Sequence, residues 1–143
     1  MVSNYPAYTQ KICAAFPQGV TVTFEGSNGN FWGWFSQPNT LGIYAKAFTN
    51  DSGIVDTVYI IAHEGAHALA FGNPSIYQDY LAWPGIDGEI PKCFYDYAYT
   101  GWSYDERFAE AIAFYAMSNF SKCSAWESQY PNHYDFVDQQ IFK

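Results

Sequence analysis

The sequence predicts an α+β fold, and three observations carry that prediction. The stretch from Val20 to Phe48 holds short apolar runs with strand-like alternation between turn signals, whereas two later stretches, opening near Ile54 and Tyr104, repeat apolar residues every three to four positions as helices do. The strands are grouped ahead of the long helices instead of alternating with them, the order of segregated layers. A chain of 143 residues is long enough for one ordinary domain, burying roughly two-thirds of its unfolded surface. Since no repeat, low-complexity tract or linker divides it, residues 1–143 are expected to form a single domain.

The elements follow in order. Pro6, near a first helical position, and Tyr8, Ile12, Ala15 and Phe16 at helical spacing predict a short helix that stops at Pro17. "VTVTFEG" (20–26), "NFWGWFS" (30–36) and "LGIYAKAF" (41–48), separated by Ser-Asn-Gly-Asn and Pro-Asn-Thr turns, predict three strands in a small antiparallel meander. From Ile54 to about Phe71, the positions Ile54, Val58, Ile61, Gly65 and Leu69 form a core-facing stripe, with Asp51 or Ser52 as cap and "FGNP" as stop. The next segment is punctuated by Pro and Gly and offers one short helical candidate. Ser103 with Glu106 three residues on has a capping-box pattern, opening a helix from Tyr104 to about Asn119. A last helix is predicted from Asn132 to Phe142.

Composition narrows the function classes. Hydrophobic residues make up 49% of the chain and charged residues 14%, which favours a packed core over disorder. A net charge of −8 with six Lys and Arg in total argues against a nucleic-acid partner, because phosphate binding needs clustered cations. No apolar run approaches the roughly 20 residues of a membrane helix, so no membrane role is expected. "MVSNYPAYTQ" has neither a basic nor an apolar leader segment, so no signal peptide is expected within these residues. The aromatic-rich, lysine-poor composition nevertheless resembles that of secreted proteins, and an extracellular setting is the expectation. Cys93 and Cys123 bracket the later helical segment, where a disulfide suits an exported protein, and Cys13 is expected as a buried thiol.

The chemistry is concentrated in "HEGAH" at 63–67. Four residues turn a helix by about 400°, so His63 and His67 project from one face with Cβ atoms roughly 6 Å apart, and both imidazoles reach one metal ion. The pair lies around the helix from Ile61 and faces a groove. Glu64 points about 100° further round, beside such a metal and not onto it, where a general base belongs. Gly65 lowers helix stability by roughly 1 kcal/mol relative to Ala, which close packing of another backbone against the stripe would explain. The competing reading is two histidines with their hydrogen bonds satisfied on a soluble helix. A catalytic zinc also needs a third protein ligand, with one position left open. Glu106 and Glu110, one turn apart on the second long helix, are candidates, together with Asp105 and His133.

On these residues the chain resembles the gluzincin metallopeptidases, in particular the group of the anthrax lethal factor catalytic domain and the Pro-Pro endopeptidases. The likeness rests on "HEGAH", Tyr99, and "ERFAEA" at 106–111, and it covers about 55 residues, from Tyr59 to about Phe114. It implies a zincin-like fold, with an active-site helix and C-terminal helices beside a small antiparallel or mixed sheet. It further implies that His63, His67 and Glu106 bind Zn2+, that Glu64 is the base, that Glu110 supports a histidine ligand, and that Tyr99 stabilises the oxyanion. Tyr104 is the rival hydroxyl donor. The expected activity is a zinc-dependent endopeptidase acting on a peptide or protein substrate, the protein being a monomer. The alternatives are a zinc-containing binding module that presents the "FWGWF" aromatics, an inactive zincin, or an aspzincin-type peptidase with Asp105 as ligand. The family's catalytic domains carry long insertions where this chain has short turns, so substrate specificity is not transferred. The "LGIYAKAF" strand is the expected free edge for an extended peptide, with Tyr95, Tyr97 and Trp102 as subsite candidates.

Overall fold

The computed structural model describes residues 6–26, 32–49, 54–89, 103–117 and 125–143. It is α+β: a three-stranded sheet beside seven helices among the described residues. In chain order these are α1 (Pro6–Ala15), β1 (Thr21–Glu25), β2 (Gly33–Ser36), β3 (Thr40–Tyr44), α2 (Lys46–Thr49), α3 (Ile54–Gly72), α4 (Pro74–Leu81), a 3-10 turn (Ile86–Gly88), α5 (Tyr104–Ala116), α6 (Trp126–Gln129) and α7 (Pro131–Gln140). None of the described helices is long and apolar enough to cross a membrane.

The strands do not form the expected meander. β3 lies in the centre, pairing in parallel with β1, from Thr21 opposite Thr40 to Glu25 opposite Tyr44, and antiparallel with β2. Apolar content explains why β3 is central: Leu41 and Ile43 are buried, and a strand with both edges paired leaves no ladder groups to satisfy with water. The expected edge strand is therefore interior, and its second half, from Lys46, turns into α2. β1 reverses the expected alternation as well. Its Thr23 and Glu25 are half-buried, with Thr23 Oγ1 donating to the Leu41 carbonyl, while Val22 and Phe24 are exposed.

Helix α3 runs through the middle of the molecule, packing most extensively on α5 and also on α1, α2, α4, β2 and β3. Its buried face is wider than one stripe. Tyr59, Ile60, Ala62, Ala66, Ala68 and Leu69 are buried, whereas Val58 and Ile61, two members of the predicted stripe, are only half-buried. Small residues let neighbours come close: a Cβ on Gly65 would lie 2.8 Å from the Tyr8 hydroxyl, which donates to the Ala62 carbonyl at 2.9 Å. The close approach inferred for Gly65 is thus made by a side chain of α1, not by a backbone. α1 packs through Tyr8, Ile12 and Phe16, four residues apart, and that leaves Cys13, one position past Ile12, exposed and not buried. The proposed cap at Asp51 or Ser52 and the Cys93–Cys123 disulfide lie outside the described residues.

The C-terminal helices close the core with aromatic contacts among Tyr80, Phe108 and Phe136. His133, a candidate ligand on sequence grounds, is fully buried here. Its ring nitrogens lie 3.3 Å from the Tyr80 hydroxyl and 3.2 Å from the Glu89 carbonyl. The Glu89 carboxylate accepts hydrogen bonds from the backbone N–H groups of Asn132 and His133 in the first turn of α7, at 3.4 and 3.3 Å. An anion at a helix N-terminus is stabilised by the unpaired N–H groups there. His133 is a structural residue of this corner, held away from the cleft.

Candidate metal centre

Helices α3 and α5 pack so that the side chains of His63, His67 and Glu106 meet. The His63 and His67 Nε2 atoms are 3.2 Å apart, and the Glu106 carboxylate oxygens lie 3.2 Å from His63 Nε2 and 3.5 Å from His67 Nε2. Among the described residues this is the one group of three His, Cys, Asp or Glu donors close enough to share an ion. The spacing can be tested against a metal. With zinc–ligand bonds of about 2.0–2.1 Å at tetrahedral angles, neighbouring donor atoms stand about 3.3–3.4 Å apart. The two imidazole nitrogens stand at that separation, and each faces a different oxygen of the Glu106 carboxylate, so two imidazoles and one carboxylate suit the ion in chemistry and lie within reach of one position.

The sequence offered Glu106 a rival task as the capping-box partner of Ser103. Ser103 does occupy the N-cap position of α5 with extended backbone, but it makes no side-chain capping hydrogen bond. Glu106 is turned to the histidines instead. Hydrogen bonds from His63 and then His67 hold its carboxyl well below the usual carboxylate range. Asp105 sits on the cleft wall, outside the three-donor group, and together with burial it raises the pKa of Tyr77.

Glu110, one turn further along α5, is buried. Arg107, three residues earlier, turns away from it, its guanidinium lying 4.9 Å from the centre of the Tyr104 ring. One Glu110 oxygen is 3.1 Å from His63 Nδ1, in an approach bent away from the hydrogen-bond axis, and the other accepts from the Tyr59 hydroxyl. Tyr59 precedes His63 by four residues on the same face of α3, so a single carboxylate holds both side chains. Burial alone lowers the proton affinity of His63. The hydrogen bond to Glu106, the close Glu110 carboxylate and the charge of Glu64 outweigh it, and the pKa rises from 6.5 to about 10.

Glu64 is buried to 8% exposure on the wall of a cleft of about 550 Å³ that also holds His63, His67 and Glu106. Burial raises its pKa, against the opposing pull of His63 and His67. The facing wall is β2, the outermost strand on this side among the described residues. Gly33 makes this contact possible, because a Cβ there would meet Ile60 Cγ2 at 2.6 Å and Glu64 Cγ at 3.1 Å. Sequence reading passed over this residue, although an isolated glycine inside a strand is a recognised sign of close approach. The role of Tyr59 was missed too, and its i, i+4 spacing from His63 was the available signal.

Tyr104 is directed elsewhere, its hydroxyl donating to Asp87. Tyr99, Tyr95, Tyr97 and Trp102 lie outside the described residues. Comparison with family models, with curated proteins and with solved structures finds no match to this chain.

Proposed function

We propose that the chain is a zinc-dependent endopeptidase of the gluzincin type, with His63, His67 and Glu106 holding the ion and Glu64 acting as general base. One observation carries the reading: two imidazoles and a carboxylate from two helices converge within reach of one ion, with a buried carboxylate beside them on the wall of an open cleft. When bound, the metal supplies Lewis acidity, polarising a peptide carbonyl and lowering the pKa of water.

The protein's own residues do the rest. Glu64 takes the proton of the attacking water and returns it to the departing amide nitrogen, and its burial keeps the carboxylate basic enough for that exchange. Glu110, itself held by Tyr59, fixes the His63 ring from its Nδ1 side so that Nε2 faces the site. The outer edge of β2 provides backbone donors and acceptors for an extended peptide, the task first assigned to the third strand. Tyr99 is the hydroxyl donor to the oxyanion in this reading, since Tyr104 is committed to Asp87. The composition supports an extracellular setting for the same activity.

Metal analysis of the purified chain, paired with cleavage of a peptide library, tests the proposal. Zinc is expected at one ion per chain, and Glu64→Gln should keep it while losing about 10²–10⁴ in rate. Zinc bound without hydrolysis of any peptide would favour the binding-module alternative.

A further inference from the structure

Resting on the peptidase reading of the same cleft, we infer that its substrates carry a bulky apolar side chain next to the bond that is cut, received by an aromatic corner formed by Phe35 and Phe71. The cleft has a direction. Along α3, Glu64 and His67 are followed by Ala70 and Phe71, three and four residues beyond the second histidine; along β2, Gly33 beside Glu64 is followed by Phe35. The two walls therefore run together from the base to the aromatic pair.

At the Glu64 end the two walls stand close, since a Cβ on Gly33 would collide with Ile60 and crowd Glu64. At the other end the wall is apolar. The Phe35 and Phe71 ring centroids are 6.0 Å apart at 51°, a tilted pair, and Phe71 is 40% exposed although it lies within the cleft. A large aromatic ring left open to water one helical turn beyond a histidine offers burial to an incoming side chain. Among the described residues the carboxylates on the cleft wall are Glu64, Asp105 and Glu106, and no Lys or Arg lines it. A carboxylate pressed against Phe35 and Phe71 would give up its water and gain no hydrogen-bond donor from either ring, so the corner selects for apolar groups and against carboxylates.

The test is a peptide-library digest with the wild-type chain and Phe71→Ala, reading residue frequencies on either side of each cut. Leu, Phe, Met and similar residues should be enriched about tenfold or more at one flanking position, with Asp and Glu depleted, as expected for an apolar pocket. Phe71→Ala should keep its zinc and lose that enrichment. A flat profile in the wild type, or enrichment unaltered by Phe71→Ala, overturns the inference while leaving the peptidase reading intact. If no peptide is cut, binding decides. Amino-acid hydroxamates with Phe, Ala and Asp side chains, titrated into the zinc-loaded wild-type chain, should bind in that order, and equal or reversed affinities overturn the inference. A chain that takes up no zinc overturns it together with the proposed function.

Discussion

His63 and His133 are both largely withdrawn from water, yet their surroundings have opposite effects. At His133 both ring nitrogens meet neutral partners, the Tyr80 hydroxyl and the Glu89 carbonyl, and burial lowers its pKa, so the ring sits uncharged as part of the core. At His63 two carboxylates and a second imidazole crowd the ring, and its pKa rises. The contrast shows how to tell a structural histidine from a candidate ligand. The first has its polar atoms satisfied by groups that want no ion, whereas the second keeps one nitrogen aimed at a cluster of donors that repel each other unless a proton or a metal lies between them.

Exchanging the two roles by mutation breaks the comparison most sharply. His63→Ala should reduce zinc affinity by more than the roughly 10–100-fold typical of an outer-shell change and abolish hydrolysis. His133→Ala should leave zinc content unchanged and lower fold stability by about 2–4 kcal/mol, from the cavity and the unpaired Tyr80 and Glu89 groups. Metal analysis and denaturant melts of the two variants measure both effects. If His133→Ala lost the metal and His63→Ala kept it, the site assignment would be wrong.

The two carboxylates of α5 sharpen the picture at a second level. Glu106→Ala should remove most zinc affinity, and Glu110→Ala should weaken it by about 10–100-fold, because Glu110 acts through the His63 ring. Competition with a chromogenic chelator ranks the two, and the reverse order would make Glu110 the ligand.

The smallest expected effect is on protons. In the metal-free chain the raised His63 pKa stabilises the fold fully below 6.5, and this contribution fades as pH rises towards about 10. The depressed Glu106 pKa contributes above the ordinary 4.5 and is lost as pH falls below it. Zinc needs a neutral imidazole, so at pH 7.5 its binding should release a proton from His63. Calorimetric titrations in buffers of different ionisation enthalpy count that proton, and a heat independent of buffer would contradict it.

What could be read from the chain follows from how local each signal is. The spacing of His63, Glu64 and His67 lies within one helical turn, so helix geometry alone places the three side chains. Helix α3 and its "FGNP" stop were likewise legible, ending at Gly72 with Pro74 opening α4. Strand order was not, because the alternation in β1 and β3 says that each is a strand but nothing about which neighbour it pairs with. Glu106 illustrates the same limit. Its position three residues after Ser103 suits a cap as well as a ligand, and the choice depends on a helix some forty residues earlier. Gly33 and Phe71 became meaningful only once β2 was seen against α3.

The shared grip of Glu110 on Tyr59 and His63 has a consequence for how the protein would live with its ion. Both donor-bearing helices are joined along the most extensive helix seam among the described residues, through core contacts that need no metal. An ion that joins a finished scaffold can leave and return without unfolding it. Under the peptidase reading, activity should then follow the free zinc of the surroundings like a dimmer, with chelation silencing it and resupply restoring it within the time of diffusion, not the time of refolding.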